Sequence, residues 1–341
     1  MARIREVTPR TTRIRNRRDR RCRVPVAAKT NTLEAMLHAR LRWSEYPPEG
    51  FRGGAVTVGN FDGVHRGHAA LVAMARSLGR PCVAVTFDPP PLHVLVPAAA
   101  KVPLTRLQDR IALLHAVGAD GVLTLKADAA LLALSPEAFF EDVMLDMLRA
   151  KAVVEGSDFR FGRGRAGDVN TLRALCGRHG LAFAAVPPVQ VGEAVSSSRV
   201  RAALLAGDVV HAADLLGRPY SLGGIVVEGA KRGRTLGFPT ANLGDVETLV
   251  PAVGVYAARA TVGRECYAAA ANVGPNPTFG EEARKIEIHL LDFAGDLYGE
   301  RLTVAFVKRL RDTRPFPGVA ELVAQLHADV AAVRNILGDG R

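Results

Sequence analysis

From residue 54 onward, short apolar runs alternate with stretches whose apolar positions recur every three to four residues. The runs at 55–58, 83–87, 121–125, 152–155 and 183–186 are brief and apolar almost throughout. That pattern belongs to strands buried on both faces of a parallel sheet. Helical spacing fills the gaps at 69–78, 107–117, 136–149 and 171–179. The third of these helices is well punctuated. Ser135 is an N-cap candidate, Pro136 occupies the first helical position, and Glu137 faces the positive end of the dipole. Strand and helix in this alternation predict an α/β doubly wound parallel sheet.

Beyond about residue 187 the rhythm changes. Two short helical stretches, 199–206 and 209–216, are broken at Gly207 and Asp208, and Gly217, Arg218 and Pro219 punctuate their end. Short β-rich runs follow at 223–228, 253–261, 266–272, 286–293 and 302–306, with no helices between them. They predict a mainly antiparallel β-barrel or a sandwich. A last helix over 319–336 spaces Leu322, Val323, Leu326, Val330 and Val333 along one face, which should lie on the sheet. The boundary between the halves falls near 190–217, giving domains at 50–205 and 206–338.

The length of 341 residues accommodates two such domains, and 48% hydrophobic residues suffice for their cores. No apolar run approaches the roughly 20 residues of a membrane-spanning helix. The net charge of +11 suggests a nucleic-acid partner until it is located. Residues 1–29 hold ten Arg and Lys29 against Glu6 and Asp19, so nine of the eleven excess charges sit there. The body of the chain is therefore close to neutral. Residues 1–31 cannot bury enough surface to order themselves and are expected to be a solvated basic extension. The alternatives are a phosphate-binding arm and a transit peptide. The first lacks aromatic residues for base stacking, and the second is at odds with the absence of Ser before Ser44. Cys22, Cys82, Cys176 and Cys266 are far apart, which argues against a zinc site or a disulfide framework. With no secretory signal, a cytoplasmic protein is expected.

Chemistry concentrates first at 58–68, V-G-N-F-D-G-V-H-R-G-H, between the first core strand and the first helix. In an open α/β sheet, ligands bind at such a point, against a helix N-terminus. His65 and His68 lie at i and i+3 and share a face of the first turn. Two imidazoles and free backbone N–H groups suit a phosphorus centre that gains negative charge during in-line displacement. The bland alternative is a pair of surface histidines after a glycine turn; a metal site using Asp62 is another.

The segment resembles the nucleotidylyltransferase superfamily, and the longer string G-N-F-D-G-V-H-R-G-H resembles bacterial bifunctional riboflavin kinase/FAD synthetase. Three further segments resemble that family's motifs in order: T-F-D-P-P-P at 86–91, G-S-D-F-R-F-G at 156–162 with Arg165 and Gly167, and S-S-S-R-V-R at 196–201. One departure stands out, because the family usually has His where this chain has Pro90. His93 is the nearest candidate substitute.

The later half carries a second site. A strand and basic glycine turn at 224–234 precede L-G-F-P-T-A-N-L at 236–243. Thr240 and Asn242 offer hard oxygen donors suited to Mg²⁺, and Gly229 and Gly233 let backbone N–H groups approach a polyphosphate. The segments 272–279, 286–293 and 296–299 follow in the order of the family's riboflavin kinase module. Glu287 alternates with Ile286 and Ile288, so it faces away from both. On that alternation alone it could be a surface group, the usual default; the resemblance implies instead the one acid acting inside the later barrel.

The resemblance covers about residues 54–338. It implies an enzyme that phosphorylates riboflavin to FMN with ATP, then adenylylates FMN to FAD with a second ATP, releasing pyrophosphate. It implies Glu287 as the kinase base and His65, His68 and Arg201 as stabilisers of developing charge. Gly59, Asn60, Phe61, Asp62, Gly63, Ser196 and Ser197 would bind nucleotide in the first half, with Gly229 and Gly233 doing so in the second. Asp158, Phe159, Asn276 and Thr278 would contact flavin. Riboflavin, FMN and ATP are the partners implied, with Mg²⁺ as cofactor. No nucleic-acid or membrane partner is expected, and the oligomeric state stays open. The competing readings are a kinase whose adenylyltransferase half is weakened and a nucleic-acid-binding protein that acts through its tail.

Overall fold

The computed structural model describes residues 37–229, 232–276 and 281–338. The basic extension expected at 1–31 lies outside them, as do Cys22 and Thr278. For Asn276 only the backbone is described.

The first half is a six-stranded parallel sheet. Its strands are β1 (Leu37–Leu41), β2 (Ala55–Val58), β3 (Cys82–Phe87), β4 (Gly121–Leu125), β5 (Ala152–Gly156) and β6 (Ala182–Val186), in the order β1-β4-β3-β2-β5-β6. All five pairings are parallel. The chain runs outward from β2 through β3 to β4, then returns to the other side of β2 at β5. The switch point therefore falls between β2 and β5, where open α/β sheets receive ligands. Strands β2 to β5 are buried on both faces, as their apolar runs predict. β1 is not apparent in the sequence pattern. Its alternation of half-buried Leu37, Ala39 and Leu41 with exposed His38 and Arg40 marks an edge strand, and it extends the sheet N-terminal to residue 50.

Four helices cover this sheet: α1 (Arg66–Leu78), α2 (Leu107–Ala116), α3 (Pro136–Phe139, continuing as a π-helix over Phe140–Met147) and α4 (Val169–Arg178). Ser135 caps α3 as expected, its Oγ accepting from the Ala138 N–H at 3.1 Å. The π-helical stretch buries Phe140, Val143, Met144 and Met147 against Val56, Val83 and Val153.

Helices α5 (Ser197–Leu205) and α6 (Val209–Leu216) connect the halves. Their apolar faces join the core of the second half, a closed barrel of β7 (Tyr220–Val227), β8 (Ala241–Gly244), β9 (Gly254–Val262), β10 (Glu265–Asn276), β11 (Glu281–Leu290) and β12 (Arg301–Arg311). The barrel order is β7-β8-β11-β10-β9-β12, antiparallel throughout. Its interior is filled by side chains such as Tyr256, Phe306, Ile288 and Leu302. Strand β8 is too short and too polar to stand out in the sequence pattern. The last helix, α7 (Val319–Leu337), lies on the outer wall, with Val330 and Val333 against Ala257, Ala268 and Ala270. Arg311 and the buried Asp329 tie it to β12 through a two-pronged ion pair.

Phe140 is fully buried in the core of the parallel-sheet half. Phe140→Ala should lower unfolding free energy by about 3–5 kcal/mol, because the cavity left behind cannot collapse fully. Urea titration followed by circular dichroism measures this.

Candidate functional site

The loop between β2 and α1 holds three residues with positive φ: Phe61 at 47°, Gly63 at 84° and Val64 at 40°. Two of them are not glycine, so the loop is strained and its surroundings must hold it. Asp62 is the main anchor. Its carboxylate accepts from the Leu104 N–H at 2.9 Å and the Thr105 N–H at 3.1 Å, and pairs with Arg201 at 2.5 Å. The Ser197 hydroxyl donates to the Asp62 carbonyl at 2.8 Å, and Ser196 caps α5.

His65 is the N-cap of α1, its Nδ1 accepting from the His68 N–H at 3.4 Å. Its proton therefore sits on Nε2, which is a donor. The two imidazoles stack with centroids 3.6 Å apart, and the Phe61 ring meets His68 edge-on at 5.1 Å. Burial first, and then the Arg218 charge, push His65 down to about 4. His68 also lies well below the usual imidazole range, through burial, then His65, Arg110 and Arg218. Both rings are neutral at pH 7.

The expected residues thus divide. His65, His68 and the backbone of Gly59 to Gly63 come together at the switch point. Phe61 does not reach a ligand with its ring, because that ring is buried under His68. Arg201 departs from its expected place. Its guanidinium is spent on Asp62 and the Val102 carbonyl, so it secures the loop instead of facing the crevice. Ser197 and Asp62 do the same. Asp158 is exposed in the turn after β5, and Phe159 stacks on Phe161 at 5.5 Å. Pro90 begins a short helix, Pro91–Leu95, that carries His93. Among the described residues no hydrogen bond or ring contact joins the His93 side chain to the histidine pair.

Sequence reasoning missed three groups here. Arg110 is buried, its Nη1 reaching Thr86 Oγ1 at 3.4 Å and the Phe87 carbonyl at 3.5 Å. Its signal was an arginine on the apolar stripe of α2, between Leu107 and Leu114. Arg218 followed a glycine and preceded a proline, and it read only as punctuation. Glu155 ends the apolar run of β5 at the switch point. It is 1% exposed, its Oε1 accepts from the Val58 N–H at 2.6 Å, and burial raises its carboxyl well above the usual range.

The second site lies on the barrel. Asn242 and Asn272 are the cross-strand partners of Glu287 on β8 and β10, and Asn272 Nδ2 lies 3.5 Å from Glu287 Oε2. Because Ile286 and Ile288 fill the interior, this polar row is on the outer wall. The acid is thus not inside the barrel, which is closed and full. A Cβ on Gly229 would fall 2.2 Å from Asn242 Nδ2, and one on Gly233 would fall 2.3 Å from the Phe238 carbonyl. Both positions need glycine for close approach. Phe238 is held edge-on by His289 at 5.5 Å and His327 at 4.9 Å, and His289 Nδ1 donates to the Pro239 carbonyl at 2.8 Å. A cleft of about 330 Å³ opens beside this loop, lined by Thr240, Arg234, Phe293, Asp296 and Tyr298 among others. Thr240 lines it and Glu287 does not. Among the described residues no cluster of His, Cys, Asp or Glu could hold a metal by itself.

A histidine-bearing loop at the switch point of a parallel sheet, followed by a barrel with its own cleft, is the arrangement of a two-site transferase acting on nucleotides. Residues 48–200 match the FAD synthetase family model and residues 216–337 the riboflavin kinase model. The bifunctional riboflavin kinase/FMN adenylyltransferase of Escherichia coli K12 is 37% identical over 301 residues, covering 86% of this chain and 95% of that one. The protein of the same description from Pseudomonas fluorescens is 40% identical over 291 residues, covering 84% and 93%. A crystal structure described as a macrolide-efflux protein from Streptococcus pneumoniae superposes with a TM-score of 0.79 at 32% identity, covering 88% of this chain and 99% of that one. Among the described residues no helix is long and apolar enough to cross a membrane. The chain belongs to the bifunctional riboflavin kinase/FMN adenylyltransferase family.

The buried carboxyl generates a prediction with a defined sign. Burial makes Glu155 hold its proton to a higher pH in the fold than in the unfolded chain, where it ionises near 4.5, so its contribution to stability falls as pH rises past that value. Glu155→Gln keeps an acceptor for the Val58 N–H and removes the titration. The variant should gain stability relative to wild type between pH 5 and 8, as measured by denaturant midpoints.

Proposed function

We propose that the chain makes FAD from riboflavin in two ATP-dependent steps at two separate sites, the kinase within 206–338 and the adenylyltransferase within 50–205. The observation that carries this reading is the division of the chemistry between two scaffolds. The stacked imidazoles stand at the switch point of the sheet, and Glu287 stands between two asparagines on the barrel wall.

In the kinase step Glu287 accepts the proton of the ribityl 5′-hydroxyl as that oxygen attacks the γ-phosphorus of ATP, yielding FMN and ADP. Phosphoryl transfer depends mainly on alignment and charge neutralisation, so position matters more here than basicity. Thr240 and Asn242 would hold Mg²⁺ together with the ATP phosphates. The fit is good: hard oxygens, few protein ligands, and a glycine at 229 that leaves room for the Asn242 amide. The ion would neutralise phosphate charge. Asn276 and Thr278 would contact the flavin.

In the adenylyl step an FMN phosphate oxygen attacks the α-phosphorus of a second ATP, and pyrophosphate leaves. The nucleophile is already an anion, so no base and no covalent enzyme intermediate is needed. His65 Nε2–H and His68 donate hydrogen bonds to the phosphates as charge builds. Gly59, Asn60 and Gly63 would bring backbone N–H groups to the nucleotide, and Asp158 and Phe159 would border the flavin. Arg201 acts through Asp62 by holding the loop.

Glu287→Gln should cut FMN formation by roughly 100-fold or more while FAD formation from supplied FMN survives. His68→Ala should do the reverse. Chromatography of the products from riboflavin or FMN with Mg·ATP reads both, and parallel loss of both activities in either variant would overturn the two-site assignment. Asn242→Ala should raise the KM for Mg·ATP about tenfold in the kinase step alone, the loss of one well-placed ligand.

A further inference from the structure

Arg218 lies in the stretch that matches the riboflavin kinase model, yet its guanidinium contacts the other half of the chain. Nη2 donates to the Gly63 carbonyl at 2.6 Å, and Nη1 donates to the Val64 carbonyl at 2.9 Å and to the Leu216 carbonyl at 3.4 Å. We propose that Arg218 is a positioning residue for adenylyl transfer, through which the barrel half holds the histidine-bearing loop in its working shape.

Three observations carry this. The first is strain. Gly63 and Val64 both have positive φ, and their carbonyls accept from one side chain. A planar fork presents two donors in a fixed geometry to two successive carbonyls, whereas an ammonium offers its donors from a single atom on a flexible stem. The second is fixation of the fork itself. Helix α6 ends at Gly217 in the left-handed conformation, with its N–H on the Ala213 carbonyl at 2.8 Å, and Pro219 restricts the backbone of Arg218. The same helix end accepts a second bond from the first half, Arg66 Nε to the Asp214 carbonyl at 2.6 Å. The third is charge. Among the described residues no carboxylate pairs with Arg218, and burial pushes its guanidinium down to about 10. Such a cation is costly to bury for a purely structural purpose. Its field falls on both imidazoles. His65 faces His68 and Arg218, and His68 faces His65, Arg110 from α2 and Arg218.

The proposal rests on the adenylyltransferase reading of this loop, and the test separates the two. Arg218→Met and Arg218→Lys are made in the full chain. FMN formation, FAD formation from FMN, and histidine titration by NMR are measured on the same preparations. Arg218→Met should lower kcat for adenylyl transfer at least tenfold with the kinase unchanged, and should raise the His65 midpoint above about 4. Arg218→Lys should keep that midpoint, because it keeps the charge, and still lose part of the adenylyl-transfer rate. If the Met variant misfolds and the kinase falls too, the Lys variant decides: a wild-type rate of adenylyl transfer overturns the proposal, and a selective loss supports it. An unchanged adenylyl-transfer rate together with an unchanged His65 titration in Arg218→Met overturns it outright. If wild-type protein made no FAD from FMN, the functional reading would fail. The His65 midpoint, with amide exchange across Gly63 and Val64, would then still decide whether Arg218 holds the loop.

Discussion

The first site depends on holding a strained loop. Phe61 and Val64 pay a conformational penalty of about 1–3 kcal/mol each for their positive φ. Nothing in the local sequence of the loop offsets that. The compensation arrives from a distance: Asp62 fastened to Leu104 and Thr105, Arg201 fastened to Asp62, Ser197 bonded to the Asp62 carbonyl, and Arg218 on the next two carbonyls. Once the loop is fixed, the start of α1 is fixed, and with it the stacked geometry of His65 and His68. Several polar residues that look like ligand contacts in the sequence are the means of holding that geometry.

This is where the sequence was legible and where it was not. Periodicity located the core strands of the sheet and its helices, because burial on both faces leaves an unbroken apolar run. It missed β1 and β8. One is an edge strand with a charged alternate face, and the other is four residues with a polar Asn242 in the middle. The motifs located both sites on the chain, since residues 59–68 run from the end of β2 into α1 and residues 239–242 run into β8, positions fixed by the fold. They could not separate a side chain that faces a ligand from one that faces another loop. Arg201 and Asp62 are equally polar in either role, and only their 2.5 Å pairing distinguishes the two. The placement of Glu287 was legible as an alternation. Which face of the barrel is the working face was not, because that depends on the interior being full.

The two sites solve one problem differently. Both must bring several backbone and side-chain donors close to a polyphosphate. The barrel does so by sparing side chains. Gly229 and Gly233 stand where a Cβ would strike Asn242 or the Phe238 carbonyl. The loop between them and β8 is then braced by Phe238 between two imidazoles, one from β11 and one from α7. The sheet instead uses strain and cross-bracing. Precise placement of the reacting groups is the common requirement, and misplacement by about an ångström is enough to cost a hundredfold in rate.

Electrostatics at the switch point follows the same logic. Arg110 and Arg218 place two guanidinium groups near a pair of uncharged imidazoles, and burial lowers the pKa of both. A negative carboxylate at the switch point would oppose an incoming triphosphate, yet the last residue but one of β5, Glu155, is a glutamate. Burial shifts that carboxyl toward its protonated form, and its Oε1 accepts from the Val58 N–H. Positive charge is therefore fixed beside the loop by Arg110, 4.0 Å from Asp62, and by Arg218, while the two imidazoles remain donors that need not first lose or gain a proton. Such a field is set when the chain folds and needs no reorganisation as charge develops.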